Sequence, residues 1–307
     1  MKYRELGMMV ALAAIWGASY LFIRVAAPVF GPLMLMELRV LIAGVALLIY
    51  ALAIGQAPII LPQWRRFLAL GALNGAAPFA LIAAAELYIP ASLAAILNAT
   101  TPLFAAVAAA IWLNETFTSK RLLGLVVGIL GVSVLVGWST VPLNGTLVFA
   151  TAASLLGSLA YGLGGSFATR AFRGVPPLTM AIGQQFGAAA GLLPFALGSL
   201  PHVRFTYEAL FNLLALALLS TCIAYLIYYP LLRSVGPTKA LSVTFLIPGF
   251  GVLWGALFLH EPIGVGTVAG LLIIWSSVTL VTGVRLLPRR RAEGTAPAPA
   301  ASTTPGS

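Results

Sequence analysis

Long apolar runs, separated by short breaks, dominate this chain of 307 residues. Residues 67–85, 87–114 and 122–169 carry no formal charge, and about 20 apolar residues are enough for a helix to cross the hydrocarbon core of a bilayer. Proline, glycine or clustered charges mark the breaks. The pattern predicts ten transmembrane helices, at roughly 5–27, 32–54, 67–87, 91–113, 119–138, 146–169, 178–200, 207–231, 237–259 and 263–285.

The composition also indicates an all-α polytopic membrane protein. Hydrophobic residues make up 61% of the chain and charged residues 8%, with a mean hydropathy of +1.03, whereas a soluble domain averages about 25% charged residues. The formal net charge is +10, but the basic residues form no patch between aromatics, so we expect no nucleic-acid partner. The single cysteine, Cys222, excludes an internal disulfide and a cysteine-based metal site.

The Lys and Arg residues fall almost entirely on one side of the predicted membrane. Of the 17, Arg204 falls on the opposite side, and Arg24 and Arg39 lie within or near spans. Because loops rich in Lys and Arg stay in the cytoplasm, this bias predicts cytoplasmic termini and an even number of spans. We therefore expect a multi-pass protein of a bacterial-type inner membrane, in contact with the lipid bilayer.

The second half of the chain repeats the first at an offset of 146 residues. Pro102-Leu103-Phe104 matches Pro248-Gly249-Phe250, and Leu113-Asn114-Glu115 matches Leu259-His260-Glu261. Five spans in each half would place the second copy upside down in the membrane. We predict two five-helix repeats of inverted topology, residues 1–141 and 142–287, which are typical of transporters that work by alternating access. A disordered cytoplasmic tail is expected at 288–307, where Ala, Pro, Thr and Ser dominate.

The segment from Pro90 to Pro102, running on to Leu113-Asn114-Glu115 and Gly124, resembles the EamA domain of the drug/metabolite transporter superfamily. The opening Ile15-Trp16-Gly17-Ala18-Ser19 and Arg39 in the second span are also similar to that family. The likeness covers nearly the whole chain, as two domains. It implies ten helices and the export of metabolites, amino acids among them. Aromatic amino-acid exporters of this superfamily share the layout.

Analogy with that fold places a substrate cavity between spans 1, 3, 4, 6, 8 and 9. The polar candidates in the middle of these spans are Asn74, Asn98, Thr101 and Thr244. An amide in hydrocarbon must face protein or water, because unpaired polar groups there are costly. Asn74 and Asn98 could contact substrate or join helices, and the threonines could also bond their own backbone. Thr101 departs from the family, in which many members carry an acid before the proline.

Aromatic residues supply the other cavity candidates: Trp16, Tyr20, Phe79, Tyr161, Tyr225 and Tyr228. Those other than Tyr20 and Tyr228 lie nearer the middle of their spans than residues of an interfacial belt do. Tyr225 and Tyr228 share one helix face. Plain packing and lining of a cavity both fit these positions, and an aromatic cavity would suit aromatic or amphipathic solutes.

Charged residues within spans are the strongest polar signal, because a central Arg costs about 2.5–3.5 kcal/mol on insertion scales. Arg24 and Glu37 both lie toward the outer ends of their spans and could form a pair across the first hairpin. Glu37 and Arg39 point to different faces of one helix. Two roles stay open for these charges, an orienting or gating pair and the binding of a substrate carboxylate by Arg39. Glu86 is expected to be solvated at the outer end of its span.

Proline and glycine predict where helices bend and touch. Pro102 and Pro248 each remove a backbone hydrogen bond in mid-helix, which predicts a kink beside the cavity, either a hinge or a static bend. Five Gly-xxx-Gly pairs are expected to allow close packing of helices within the chain, with contacts in a dimer as the second interpretation. These pairs are Gly71/Gly75, Gly124/Gly128, Gly183/Gly187, Gly251/Gly255 and Gly266/Gly270. Monomer and dimer both stay open.

The sequence gives no support to an enzyme or an ATP-driven pump. It has no Asp for an aspartyl dyad, no phosphate-binding loop, and no His-Glu-x-x-His motif around His260. Gly164-Gly165-Ser166 lacks a His partner within a span. We expect no cofactor and no metal. A non-transporting receptor would give no reason for two inverted copies.

The sequence therefore predicts an inner-membrane transporter that exports a small-molecule substrate by alternating access. Amino acids, aromatic or other neutral ones, are the expected substrates, and other amphipathic metabolites, drugs or nucleotide-sugar-like solutes are the alternative. The first span contains no acid beyond Glu5, which disfavours proton/cation antiport. A downhill facilitator stays open.

Overall fold

The computed structural model describes residues 3–112, 116, 118–139, 141–199, 205–236, 240 and 243–282. Ten helices follow one another in this part of the chain, and its regular secondary structure is entirely helical. They are α1 Tyr3–Phe30, α2 Pro32–Ala53, α3 Leu61–Ala85, α4 Ala91–Trp112, α5 Ser119–Gly137, α6 Gly145–Ala171, α7 Pro177–Ser199, α8 207–235, α9 Val243–Leu259 and α10 Val265–Thr282.

The predicted all-α membrane architecture is confirmed. Over the described residues, every helix except the 17-residue α9 is at least 18 residues long and apolar enough to cross a membrane. The charge at Glu115 and the tail at 288–307 lie outside the described residues.

The helices alternate in direction, so the bundle has two distinct ends. At one end the residues after α9 meet the start of α4, where Glu261 contacts Ala91 and Ser92. At the other end the first part of α5 packs on the last two turns of α10, where Ser277 donates to the carbonyl of Gly124 at 2.6 Å. We call the first the Glu261 end and the second, after a residue in the first turn of α5, the Arg121 end.

The closest helix contacts fall into sets related by exchange of the two halves. The α1 helix packs on α9 as α6 packs on α4, and α3 packs on α7 as α8 packs on α2. The contacts of α2 with α7, α4 with α9 and α5 with α10 each join helices of the same rank in their halves. This contact pattern is the one expected for two similar halves of five helices each.

Glycine permits several of these close approaches. A side chain at Gly71 would overlap the backbone of Ala188, and one at Gly187 would overlap the carbonyl of Phe67, so α3 and α7 touch backbone to backbone. A Cβ at Gly17 would lie 2.6 Å from Cβ of Phe250, which brings α1 equally near α9. All the predicted Gly-xxx-Gly glycines pack against other parts of the same chain. The first interpretation of those pairs is thus confirmed.

Two helices contain a π-helical segment, in which the chain winds more widely than in an α-helix. In α3 it spans Ala72–Ala76, and in α8 it spans Ala215–Ile223. The 146-residue offset places Asn74 over Ser220, so the two segments occupy corresponding positions. Segments of this kind are frequent at functional sites, because they re-aim the side chains they carry.

The helix α4 is interrupted where the sequence predicted a kink. Its two segments, Ala91–Asn98 and Thr101–Trp112, are separated by Ala99 and Thr100. Pro102 has no N–H to donate to the carbonyl of Asn98, and its ring crowds that carbonyl. The hydroxyl of Thr101 donates to it instead, at 2.8 Å. Pro248, in contrast, lies inside α9, which is helical on both sides of it.

Candidate functional site

A cavity of about 620 Å³ lies between the helices. All ten cavity candidates from the sequence lie in its wall, together with Arg39, Pro102 and Pro248. The ten are Trp16, Tyr20, Asn74, Phe79, Asn98, Thr101, Tyr161, Tyr225, Tyr228 and Thr244. Its volume falls in the range of about 300–1,000 Å³ that is usual for small-molecule sites. Contact between these residues and a substrate stays a prediction.

The cavity extends from the middle of the bundle toward the Arg121 end. There its wall includes Arg121 of α5 and Val281 and Thr282 of α10, whereas toward the Glu261 end it stops at residues such as Ile23 and Ala95. A solute in this cavity would therefore lie closer to the Arg121 end than to the Glu261 end.

At the Glu261 end, the carboxylate of Glu261 joins the residues after α9 to the start of α4. Its Oε1 accepts a hydrogen bond from the N–H of Ala91 at 2.7 Å, and its Oε2 accepts one from the N–H of Ser92 at 3.0 Å. These N–H groups are among those that a helix N-terminus leaves without internal partners, and the helix dipole favours an anion there. Gly255 leaves room for the carboxylate, because a Cβ at that position would lie 2.6 Å from Oε2. In the sequence, Glu261 stood out only as the counterpart of Glu115 in the 146-residue repeat.

The predicted pairing of Arg24 with Glu37 is wrong. The guanidinium of Arg24 donates to the backbone carbonyl of Glu86, at the end of α3, where the last carbonyls of a helix lack internal donors. Both carboxylate oxygens of Glu37 are buried and make no hydrogen bond to the described residues. Neither Arg24 nor Glu37 lines the cavity.

The expectation that Glu86 is solvated is also wrong. The residue is 0% exposed, and its two carboxylate oxygens lack a hydrogen-bond partner in the part of the chain that the structure describes. The helix end that carries it is covered by α1, through the Arg24 contact. A position at the end of a span was taken as an exposed one, and tertiary packing overrides that assumption.

Asn98 holds one side of the cavity together. Its Nδ2 donates to the hydroxyl of Tyr20 at 2.7 Å, and its Oδ1 accepts from the hydroxyl of Ser158 at 3.3 Å. These bonds join α4 to α1 and to α6. Asn98 thus makes the hydrogen bonds between helices and faces the cavity as well, so the two roles considered for it are compatible.

Asn74 lies in the π-helical segment of α3 and belongs to a second network. Its Nδ2 lies 3.5 Å from Oε1 of Gln184, whose Nε2 donates to the hydroxyl of Tyr225 at 3.0 Å. Gly164 makes room for the amide, because any side chain there would overlap it. Gln184 was not among the sequence candidates. The polar pair Gln184-Gln185 in the middle of the apolar α7 was the available signal.

The aromatic candidates pack against one another while they line the cavity. Trp16 and Tyr228 have ring centroids 5.6 Å apart, and Phe79 meets Tyr161 edge to face at 6.1 Å. Aromatic pairs in such arrangements are worth about 0.5–1.5 kcal/mol beyond their buried area. The aromatic wall is therefore partly rigid before any solute binds.

Arg39 brings a positive charge to the wall of the cavity, 6% exposed. Its Nε donates to Oγ1 of Thr221 at 3.0 Å, and its Cζ lies 3.9 Å from the centroid of the Phe79 ring. The distance suits a cation–π interaction. Thr221, in the π-helical segment of α8, is a further residue that sequence reasoning missed.

Comparison with known proteins identifies two matches to the EamA-like transporter family within this chain, over residues 4–137 and 148–283. The uncharacterized inner membrane transporter YedA of Escherichia coli is 29% identical, covering 94% of this chain and 96% of its own. The uncharacterized transporter YvbV of Bacillus subtilis is 27% identical, with 91% and 92% covered. A probable amino-acid metabolite efflux pump of Salmonella typhimurium is 26% identical, with 92% and 96% covered.

A solved structure supports the same fold. It is titled "Crystal structure of protein", superposes with a TM-score of 0.61 at 17% identity, and covers 92% of this chain and 97% of its own. The two family matches together cover most of the chain, and the relatives are membrane transporters rather than enzymes. The chain therefore belongs to the EamA-like transporter family.

Proposed function

We propose that this protein exports amino acids, aromatic or other neutral ones, across the inner membrane by alternating access. The observation that carries the proposal is the cavity of about 620 Å³, whose wall combines aromatic rings, amides and one guanidinium in the middle of the bundle. Rings suit an apolar side chain, while amides and a guanidinium offer partners for the ammonium and carboxylate groups. The name of the Salmonella relative, an amino-acid metabolite efflux pump, supports the same substrate class.

The charges in the cavity favour this substrate class over nucleotide-sugar-like solutes. A nucleotide sugar carries two phosphate charges, and phosphates are usually held by several cations or by helix N-termini. Among the described residues, the cations of the wall are Arg39 in the middle and Arg121 at its end. One central cation matches a single carboxylate. Other amphipathic metabolites with one negative charge fit the wall as well and form the second candidate class.

Alternating access is supported by the two ends of the bundle. In the conformation observed, Glu261 joins the end of α9 to the start of α4, and the cavity reaches the opposite end. Helix contacts related by exchange of the halves are the pattern that would allow a second, similar arrangement in which the ends swap roles. The Lys and Arg bias predicts that the Arg121 end faces the cytoplasm, from which an exporter would collect its solute.

Transport by the purified protein in liposomes tests the substrate. We expect radiolabelled phenylalanine, tryptophan and threonine to cross faster than in protein-free liposomes, with unlabelled neutral amino acids competing. A parallel set with a nucleotide sugar and a lipophilic cation addresses the alternatives. Leakage-level rates for every amino acid tested, beside transport of an alternative solute, would show that the amino-acid assignment is wrong.

Side-specific labelling tests the inverted arrangement of the halves. Single cysteines at positions 115 and 261, in a Cys222→Ser background, should react with a membrane-impermeant thiol reagent from opposite sides, the first from the cytoplasm and the second from outside. Reaction of both from the same side would exclude the inverted repeat and, with it, this basis for alternating access.

A further inference from the structure

Arg39 is a buried charge whose hydrogen-bond partners among the described residues are neutral. Its hydrogen bonds go to the hydroxyl of Thr221 and, at 3.8 Å, to the sulfur of Met36. Over the described residues, no carboxylate lies within ion-pair distance of it. A buried cation without a paired anion is costly, so a structure that keeps one in the wall of a cavity indicates that an anion enters there.

Two acids near Arg39 could in principle supply that anion, and the structure argues against both. Glu37 is two residues away on α2, yet neither of its oxygens makes a hydrogen bond to the described residues. Glu86 is buried at the Glu261 end, where Arg24 contacts its backbone carbonyl, and its carboxylate oxygens also lack hydrogen-bond partners among the described residues. Neither acid lines the cavity, whereas Arg39 does.

The guanidinium is held in a fixed orientation. Oγ1 of Thr221 accepts the Nε–H at 3.0 Å, and the Cζ of Arg39 lies over the Phe79 ring, 3.9 Å from its centroid. The hydroxyl of Thr221 is itself fixed, because it donates to the carbonyl of Leu216 at 2.9 Å. A planar guanidinium held in this way presents its remaining N–H groups for paired hydrogen bonds to a carboxylate.

We propose that Arg39 binds the carboxylate of the transported solute, so that the cavity selects solutes with one carboxylate over the corresponding amides and amines. This inference rests on the proposed transport through the cavity and adds the chemical group that is recognised. Tyr20, Tyr161 and Tyr225 line the same cavity as Arg39. An aromatic side chain attached to the bound carboxylate would therefore meet aromatic rings.

Competition between matched analogues tests the carboxylate requirement. The assay measures how L-phenylalanine, L-phenylalaninamide, phenethylamine and 3-phenylpropionate inhibit transport of labelled phenylalanine. In the wild-type protein, we expect the two carboxylates to compete at least tenfold better than the amide and the amine. Equal competition by phenylalanine and its amide would overturn the inference, even if phenylalanine is transported.

Variants assign the preference to Arg39. In Arg39→Gln, the affinity for phenylalanine should fall at least tenfold while that for its amide stays nearly constant, so the ratio between them approaches one. Arg39→Lys, which keeps the charge but loses the planar fork, should retain part of the preference. Glu86→Gln is the matched control for the rival counter-ion and should keep the wild-type ratio. A ratio unchanged in Arg39→Gln, or lost equally in Glu86→Gln, contradicts the role given to Arg39.

Thermal unfolding separates failure of this inference from failure of the amino-acid proposal. Purified protein is heated with 3-phenylpropionate, with indole-3-acetate, and with the neutral amide of each. If the solute is a carboxylate other than an amino acid, the acids should still raise the unfolding temperature of the wild type above the effect of the amides, and not that of Arg39→Gln. Absence of any such difference would sink the carboxylate inference by itself.

Discussion

The two π-helical segments occupy corresponding places in the halves of the molecule, yet they meet different chemistry. In α8, the segment presents Thr221 to Arg39 of α2. In α3, it presents Asn74 to Gln184 of α7. Thr221 thus contacts a cation and Asn74 contacts a neutral amide, although α2 and α7 have the same rank in the two halves.

This difference shows how a scaffold built from similar halves can hold an asymmetric solute. The shared features, close helix contacts and wide helical turns, position side chains in the middle of the bundle. On the proposed function, the unlike side chains would distinguish the groups of the solute, since a guanidinium prefers a carboxylate and an amide accepts or donates to a neutral or cationic group. Changes at either contact should therefore have separable effects.

The largest effect is expected from breaking the α3–α7 contact itself. In Gly187→Ala, the new methyl group would overlap the carbonyl of Phe67, and overpacking of this kind costs about 1–3 kcal/mol or more. We expect a clear fall in the unfolding temperature and in the yield of monodisperse protein. Gly198→Ala, on the same helix with open space around the new methyl group, is the control and should behave as wild type. Equal stability of the two variants would disprove the close backbone contact.

The next effect concerns the orientation of Arg39. Thr221→Val removes the hydroxyl that accepts its Nε–H, a hydrogen bond that orients the guanidinium and reaches the solute only through it. Because Arg39 itself remains, we expect a smaller loss than in Arg39→Gln: a several-fold drop in affinity for phenylalanine and little change for phenylalaninamide. Thr221→Ser keeps the hydroxyl and should restore the preference. If Thr221→Val and Thr221→Ser give the same ratio of affinities for phenylalanine and phenylalaninamide, the hydroxyl does not orient the guanidinium.

Breaking the neutral contact between Asn74 and Gln184 should lower the affinities for phenylalanine and phenylalaninamide alike. Gln184→Leu removes the amide that joins Asn74 to Tyr225, at a cost of about 1 kcal/mol for a neutral hydrogen bond. Affinities for phenylalanine and its amide should therefore fall together, by about fivefold. Gln185→Leu is the matched control, because the Gln185 amide is buried without a hydrogen-bond partner among the described residues. A loss confined to the carboxylate compound would move recognition of the anion to this side.

The smallest effect is expected at the Glu261 end. Glu261→Gln weakens the charge-assisted contact with the N–H groups of Ala91 and Ser92 by about 0.3–1 kcal/mol, which favours the conformation open at this end. An Ala95→Cys reporter in a Cys222→Ser background should then react about two- to fivefold faster with an impermeant thiol reagent added outside. Glu208→Gln removes an exposed acid from the first turn of α8 at the same end. Glu208→Gln should leave the labelling rate unchanged. An equal increase in Glu261→Gln and Glu208→Gln would show that Glu261 does not specifically hold this end closed.

The helices could be predicted from distance along the chain, whereas the spans that surround the cavity came from the family resemblance. A residue eight positions into a span, such as Asn74 or Asn98, lies at mid-membrane whatever its neighbours are. Contacts between distant segments could not be predicted from the sequence. Thr221 and Gln184 matter through partners on other helices, and wide π-helical turns do not follow from a 3.6-residue period.

The two wrong predictions, on Arg24 and on Glu86, also concern contacts between distant segments. The assignment of Arg24 to Glu37 used position along a hairpin, whereas Arg24 instead reaches the end of α3. Glu86 was taken as solvated because it ends a span, but neighbouring helices cover it completely. The kink predicted at Pro102, in contrast, corresponds to the break in α4 just before the proline, where threonine hydroxyls donate to the carbonyls of Leu97 and Asn98.

Counterflow in liposomes tests the central claim most directly. Vesicles containing the purified protein are loaded with unlabelled phenylalanine and diluted into a trace of labelled phenylalanine. A carrier that exposes one cavity alternately to the two sides predicts a transient accumulation of label above its equilibrium level, absent when the vesicles are loaded with phenylalaninamide. Uptake that rises only to equilibrium would indicate a channel, and uptake equal to that of protein-free vesicles would contradict amino-acid transport.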